Sequence, residues 1–485
     1  MPIKVTILGS GPGGYIGAIR AAQLGAQVTL IENNNLGGTC LNRGCIPTKT
    51  LKATAEALET THRLHEFGVV LEGEVRPDIQ AIMNRKQKVV DTLVTGIRKI
   101  IDSYRIRFIE GTGYVMDPGR VRVQTKEGRS IEITGDKLIL ATGSNPLNYP
   151  DFPVDGQKII SSNEALLLDD IPEEMVIIGG GVVGAEFGFI FNALGTRVTI
   201  VEALDRVVGL PSVDPDSSRI LAREMKKKKI KLFLNKTVIG SEDAPGHKVR
   251  LTLGPSPFLK EVKEKDKKEI VLEADRVLVS IGRELNTKNM GLEELGLELH
   301  PRDWIVANEK METNIPDVYA VGDILGPEKI MLAHVASAEA LTAVENCMGA
   351  QKVMNYDAVP TGIFTSPEMA DVGLTEIQAQ ERGLNFRSDS FLFRGLGRPQ
   401  AMGEITGQVK IISEAKTGKI LGVHIIGPHA TDLIAEATLA MKLGATTEDL
   451  ASTIHVHPSL SEAVMEAAHA ALDAPLHAPA RKQKT

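Results

Sequence analysis

The sequence predicts an α/β fold in which one strand–turn–helix device occurs twice and an antiparallel sheet with helices closes the chain. Two glycine-rich turns, each behind a short apolar strand, carry the first half of that statement. The alternating strand patterns that begin after Ala350 carry the second, making the last unit α+β. A cysteine pair directly behind the first device adds the chemistry.

The first device runs from the apolar strand Ile3 to Leu8 into Gly9-x-Gly11-x-x-Gly14. A helix-like Tyr15 to Leu24, the strand Gln27 to Ile31 and the acid Glu32 follow. The second runs from Val176 to Ile178 into Gly179-x-Gly181-x-x-Gly184, a helix to Leu194, the strand Arg197 to Val201 and Glu202. In both, the same interval separates the first glycine from the acid. The first glycine permits a tight turn, the second lets backbone approach a pyrophosphate, and the third lets helix and strand pack closely. The helix N-terminus then favours negative charge. A lone signature of this kind is weak; two, each with strand, helix and acid, predict two Rossmann-like dinucleotide-binding domains. Each acid can accept both ribose hydroxyls. An acid also repels a 2′-phosphate, so Glu202 argues for NAD over NADP.

Between the devices, Ala55 to Ile101 reads as long amphipathic helices and Arg105 to Ile139 as short strands with Gly/Pro/Asp turns. Leu138 to Ser144 is a strand ending in a small-residue turn, and Pro-rich Asn145 to Pro153 reads as a linker. Ser212 to Val279 completes the second unit, with a charged hairpin insertion near Lys260 to Lys268. That insertion and the run Lys226 to Lys229 read as solvated surface. Val318 to Asp323 is another strand ending in glycine plus acid, and Ala474 to Thr485 a loose tail.

At 485 residues there is material for three or four domains. A hydrophobic fraction of 42% and 46 glycines suit a soluble α/β protein rich in tight turns. The net charge of −7 gives no support for a nucleic-acid partner. The apolar stretch Met175 to Leu194 is not a membrane span, because it holds Glu186 and a run of glycines in strand–turn–helix order. Met1 to Leu8 leads straight into a strand, leaving no room for a leader, and a cytoplasmic address is expected.

The chain has three cysteines, and Cys40 and Cys45 fall in Gly37-Gly38-Thr39-Cys40-Leu41-Asn42-Arg43-Gly44-Cys45-Ile46-Pro47-Thr48-Lys49. On a regular helix their Cα atoms would lie roughly 8–9 Å apart, whereas a disulfide needs less than about 7 Å. If they bond, the helix must be distorted, and Gly44 is suited to allow it. Pro47 suits the first turn of a continuing helix. Cys45 would then stand near a helix N-terminus, where the dipole favours thiolate. Zinc is the rival use of paired cysteines, but no further ligands occur at usual spacing, and no metal is expected. Cys347 lies on an apolar helix pattern and reads as inert core.

With these motifs the chain resembles the pyridine nucleotide-disulfide oxidoreductases over residues 3–470. Ala141-Thr142-Gly143-Ser144, Val321-Gly322-Asp323, Met331-Leu332-Ala333-His334 and the segment from His455 to Glu462 extend the resemblance. It implies FAD on the first device (Gly9, Gly11, Gly14, Glu32), with Lys49, Gly113, Thr142, Gly143, Ser144, Asp323, Met331, Leu332, Ala333 and His334. It implies NAD on the second (Gly179, Gly181, Gly184, Glu202), with Glu186, Val238 and Gly282. Lys49 and Glu186 would pair beside the flavin. Implied domains are 1–147 for FAD, 148–276 for NAD, 277–347 completing the FAD site and 348–472 for dimerisation, with 473–485 the tail. The stretch from Asp323 to Met331 is longer than the family pattern.

His457-Pro458-Ser459-Leu460-Ser461-Glu462 also reads plainly as a helix start, with Ser459 and Glu462 as a capping box. Beside a reactive cysteine pair it reads differently. Thiol exchange needs a base, histidine has the right pKa, and a carboxylate such as Glu462 would orient it. The resemblance assigns the base to His457, leaves His455 to local packing, and brings His457 from the other subunit of a homodimer. It further implies Cys40 as the thiol exchanging with substrate and Cys45 as the thiol facing flavin. The implied substrates are dihydrolipoyl groups on lipoyl domains of a 2-oxo acid dehydrogenase or glycine cleavage complex. A glutathione-type disulfide reductase is the alternative.

Overall fold

The computed structural model describes residues 1–150, 152–264, 267–327 and 329–479. Its first sheet has seven strands in the order Val318–Ala320, Lys137–Leu140, Lys4–Leu8, Gln27–Glu32, Arg107–Asp117, Arg120–Thr125, Ser130–Thr134. The first five pair in parallel and the last two add on antiparallel. Lys4–Leu8 and its neighbours are nearly continuous apolar runs because both faces are covered. The helix Pro12–Gln23 and the helix Ala333–Cys347 pack together on this sheet.

The second sheet repeats the plan with five parallel strands: Lys231–Leu234, Arg197–Glu202, Glu174–Ile178, Arg276–Val279 and Ile159–Ile160. A three-stranded antiparallel sheet, Lys236–Ala244, Lys248–Pro255 and Ile270–Ala274, lies beside it. In each parallel sheet the strand before the glycine turn sits between neighbours reached by crossovers in opposite directions. That is where an open α/β sheet leaves a crevice at its carboxyl edge. The chain ends in an antiparallel sheet ordered Pro360–Ile363, Glu368–Gly373, Ile420–Gly427, Gln408–Glu414, Phe386–Leu392. The helices Ala430–Leu443 and Glu462–Ala471 pack against it. The α/β fold with two Rossmann-like units and a C-terminal α+β unit is therefore present.

Four expectations need correction. A domain break between 276 and 277 would cut the strand Arg276–Val279, whose hydrogen bonds belong to the second sheet. Residues 277–347 are also no separate unit, since Val318–Ala320 is an edge strand of the first sheet. Asn145 to Pro153 is more than a linker: Ser144–Pro146 pairs antiparallel with Arg283–Leu285, tying together the exits of the two nucleotide units. The tail is not loose as far as His477. Glu466, fully buried, accepts the backbone N–H groups of Leu476 and His477 and a ring N–H of His477, and Asp473 pairs with Arg387. Residues 480–485 of the expected tail, and residues 265 and 266 of the expected insertion, lie outside the described residues. So does residue 328 in the long Asp323 to Met331 stretch. Among the described residues no helix is long and apolar enough to cross a membrane.

Candidate active site

The two glycine turns are built alike. A Cβ on Gly14 would come within 1.8 Å of the Gly9 carbonyl oxygen, and one on Gly184 within 1.9 Å of the Gly179 carbonyl oxygen. Only glycine lets each helix approach its strand so closely. The middle glycines differ: a Cβ on Gly11 or Gly181 would meet nothing within 4 Å. Each is the N-cap of its helix and neither helix has a side-chain cap. First-turn amides facing open space, at a helix N-terminus, suit an anionic pyrophosphate.

The acids stand at the ends of the second strands, already tied to these turns. The Glu32 carboxylate accepts from the Ser10 amide at 2.8 Å and the Asn34 amide at 2.8 Å. Glu202 accepts from the Gly180 amide at 2.6 Å and the Leu204 amide at 2.7 Å. Each carboxylate keeps further lone pairs for ribose hydroxyls. The residues present therefore fit a dinucleotide at both turns.

Around the first turn, the other expected FAD residues sort into walls and backbone. Gly113 lies where a Cβ would be 2.8 Å from Leu8 Cδ2, at the end of the central strand. Thr142 and Gly143 form a turn held to Asn286, which accepts from Thr142 Oγ1 at 2.6 Å and donates to the Thr142 carbonyl at 2.9 Å. Ser144 donates its hydroxyl to Asp323. Arg283 donates to Ser144 Oγ at 2.6 Å and to the Ser144 carbonyl at 2.8 Å, with Asp323 at 3.6 Å. Met331 and Leu332 lead into the helix Ala333–Cys347, so Ala333 and His334 offer first-turn amides, while the His334 ring meets the Pro360 carbonyl at 2.8 Å. At the second turn, a Cβ on Gly179 would be 2.5 Å from the Ser280 carbonyl, and Gly282 has φ +141. Val238 is buried in an apolar cluster, so only its backbone can border a nucleotide.

Cys40 stands in the short helix Gly38–Arg43 and Cys45 is the first residue of the helix Cys45–Arg63. Gly44 breaks the two apart with φ −145 and ψ −111. A Cβ there would be 3.1 Å from the Thr39 carbonyl, a tight approach that glycine avoids. At the other end Gly38 has φ +61, and a Cβ would be 2.6 Å from Gly11 Cα. The cysteine segment is thus pressed against the first nucleotide turn. Both thiols are free, half-buried and hydrogen-bonded to each other. The shared hydrogen bond and burial push the Cys40 thiol up. The same bond brings the Cys45 thiol down to about 7, with Lys49 assisting against burial. Lys49 lies one helical turn beyond Cys45 and donates to Glu186 Oε2 at 2.8 Å and Oε1 at 3.0 Å. Glu186 is buried in the second unit's helix Val182–Ala193 and also accepts from the Phe364 amide at 2.9 Å. The Phe364 ring lies 4.4 Å from the ammonium. All three parts of the chain meet at this lysine.

Glu462 Oε1 is 2.8 Å from His457 Nδ1, and Glu462 Oε2 accepts the Ser459 amide at 2.8 Å. Burial opposes ionisation of Glu462, but Ser459 and His457 outweigh it and hold the carboxyl below its usual range. The capping box is only half formed. The Ser459 hydroxyl bonds to the Ser461 hydroxyl, because the helix begins at Glu462, too late to offer Ser459 a third-position amide. The His457 side chain is 78% exposed. His455 is instead buried between Glu436 and the Thr453 carbonyl. Burial lifts the Cys347 thiol to about 12, so it is inert.

Sequence reasoning missed Arg283, Asn286 and Phe364. Arg283 follows Gly282 and opens the strand Arg283–Leu285, a position that could have flagged it; Asn286 and Phe364 make their contacts only through the fold and left no signal. Chemically, a half-buried dithiol with one low thiol, flanked by two nucleotide turns, can exchange with another dithiol and hand electrons to a cofactor.

The family model of the pyridine nucleotide-disulphide oxidoreductases matches residues 3–340, and that of their dimerisation domain matches 359–468. The mitochondrial dihydrolipoyl dehydrogenase of Pisum sativum is 40% identical over 476 residues, 98% of this chain and 92% of that protein. The dihydrolipoyl dehydrogenase of Chlamydia muridarum is 40% identical over 475 residues, 98% and 97% of the two chains. The crystal structure of LpdA from Mycobacterium tuberculosis superposes with a TM-score of 0.87 at 27% identity, covering 96% of this chain and 99% of that one. With both family models matched and these relatives sharing nearly its whole length, the chain belongs to the pyridine nucleotide-disulphide oxidoreductases.

Proposed function

We propose that this chain is a dihydrolipoyl dehydrogenase, oxidising the dithiol of dihydrolipoyl groups with NAD⁺ as acceptor and FAD as resident cofactor. The observation that carries the proposal is the Cys40–Cys45 pair, pressed onto one nucleotide turn and joined through Lys49–Glu186 to the helix of the other. The names and extents of the relatives support the same substrate.

Gly9, Gly11, Gly14 and Glu32 would hold FAD, with Thr142 to Ser144, Asp323 and the Met331 to His334 backbone. Gly179, Gly181, Gly184 and Glu202 would hold NAD. When bound, FAD supplies two-electron exchange between the cysteine pair and NAD⁺. The chain's own residues do the rest. His457, oriented by Glu462, takes the proton from a substrate thiol. The resulting thiolate attacks Cys40 of the oxidised pair; the Cys40–Cys45 bond breaks and Cys45 leaves as thiolate. Lys49 and the helix N-terminus stabilise that thiolate. The substrate's second thiol, once deprotonated, displaces Cys40 and closes the substrate disulfide. Two electrons have then passed from substrate to the cysteine pair.

The exposed His457 and the matched dimerisation domain support a homodimer in which each His457 serves the partner's cysteines. Lipoyl domains of a multienzyme complex are the proposed carriers of the substrate. The cytoplasm is the proposed address, a reducing compartment where Cys347 needs no partner.

Anaerobic titration of the flavin-loaded protein tests this function. Dihydrolipoamide and NADH should each produce a long-wavelength thiolate–flavin absorption band. Reduction by glutathione with none by dihydrolipoamide would contradict the assignment and favour a glutathione-type reductase.

A further inference from the structure

Glu339 takes no part in the chemistry above, yet its side chain is 1% exposed. It lies in the helix Ala333–Cys347, and both carboxylate oxygens are engaged: Oε2 accepts the Gly322 amide at 2.7 Å and Oε1 the Tyr356 hydroxyl at 2.7 Å. Both donors are neutral, and a buried carboxyl on neutral donors is expensive to keep unless its position matters. Gly322 has φ +80, where a Cβ would be 3.2 Å from Ala336. The next residue is Asp323, which receives the Ser144 hydroxyl. The Tyr356 ring in turn is covered by the Lys329 ammonium, 4.9 Å from its centre. Lys329 comes from the long stretch between Asp323 and Met331. The carboxyl thus pins the turn carrying Asp323, the helix of Ala333 and His334, and the segment entering the C-terminal sheet.

We propose that Glu339 is a positioning residue of the flavin site, holding Asp323 and the start of the helix Ala333–Cys347 in register for FAD by accepting from Gly322 and Tyr356 at once. This rests on the assignment of FAD to the first site. A carboxylate accepts both donors through charge-assisted bonds; a protonated carboxyl or an amide accepts the Gly322 amide only as a neutral group and must donate to the Tyr356 hydroxyl, which turns round to accept, so both bonds weaken. Burial pushes the Glu339 carboxyl up to about 7, against Tyr356, Gly322 and Lys329, while Asp323 adds to the rise. Tyr356, Lys329 and Asp323 are the charged and titratable groups that face it. FAD should therefore be held more weakly as pH falls through that range.

The test is FAD binding to flavin-depleted full-length protein, followed by flavin fluorescence between about pH 5.5 and 8.5. The parent should lose about tenfold in affinity toward low pH, the effect of two charge-assisted hydrogen bonds becoming neutral. Glu339→Gln should bind weakly at every pH with no such midpoint. Tyr356→Phe removes a donor that favours the ionised form, so its midpoint should move up. Parent-like, pH-dependent affinity in Glu339→Gln overturns the proposal, as does an unmoved midpoint in Tyr356→Phe, should Glu339→Gln not fold. A parent that binds FAD with no pH dependence overturns it while leaving the flavin assignment intact. A parent that takes up no FAD overturns both.

Discussion

Cys40 and Cys45 are both half-buried but chemically unequal, because the bond between them favours thiolate at Cys45, with Lys49 one helical turn beyond assisting. In the flavin-free reduced protein one thiolate should titrate near pH 7, seen as absorbance at 240 nm, and the other only at much higher pH. The sign follows from the Cys45 shift: its folded pKa is below that of a free thiol, so thiolate is present above about 7 and is lost as pH falls through it. Lys49→Met should move that step up by about one unit or more; an unmoved step would show that the Cys40 hydrogen bond alone sets it. Much at this scale was legible in advance. Cysteine spacing implied a distorted helix if the pair bonds, with Gly44 suited to allow it, and the helix breaks at Gly44 even with both thiols free. The thiol–thiol hydrogen bond and the Phe364 contacts were not legible, since they depend on segments brought together only by the fold.

At the scale of elements, the strands Glu368–Gly373 and Ile420–Gly427 carry a fully buried cross-strand pair. His424 Nδ1 lies 2.6 Å from Asp371 Oδ1, and its Nε2 meets the Leu374 carbonyl at 2.9 Å. A carbonyl can only accept, so Nε2 carries a proton and Nδ1 shares a second with Asp371. Nearby, buried Lys410 ties the same sheet to Asp214 at the start of the helix Pro215–Lys227. His424→Ala should destabilise the protein by about 3–5 kcal/mol, because it strands a buried carboxylate. The double variant Asp371→Leu/His424→Leu should lose markedly less, measured by urea unfolding at fixed flavin loading. Equal losses would mean the pair acts through packing alone. Alternation announced these strands, but not their polar core pair, since a buried histidine and aspartate read from sequence as outward-facing. The half-formed capping box failed for a related reason: Glu462 was legible as a partner and serves both Ser459 and His457, but whether its own amide meets the Ser459 hydroxyl depends on where the helix begins.

For the whole molecule, the duplicated glycine device made both nucleotide units legible, since only glycine permits the close approaches at Gly14 and Gly184. The return of Val318–Ala320 to the first sheet was not, because nothing in three apolar residues says which sheet they join. The two-fold is likewise a property of the assembly. If His457 serves the partner's cysteines, mixing Cys40→Ser and His457→Gln chains under reassembly should recover activity. Each mixed dimer holds one intact site, so about a quarter of parental activity is expected. No recovery would place His457 and Cys40 in one chain. His457→Gln alone should lower dihydrolipoamide oxidation by about 10²–10⁴-fold.

The central claim is that electrons pass from substrate through the cysteine pair. Its most direct test is the steady-state rate of NAD⁺ reduction by dihydrolipoamide in Cys45→Ser, flavin-loaded and compared with the parent. A loss on the order of a thousandfold or more is predicted, since substrate thiolate would find no disulfide to attack. A Cys45→Ser protein that turned over dihydrolipoamide at the parental rate would contradict the account.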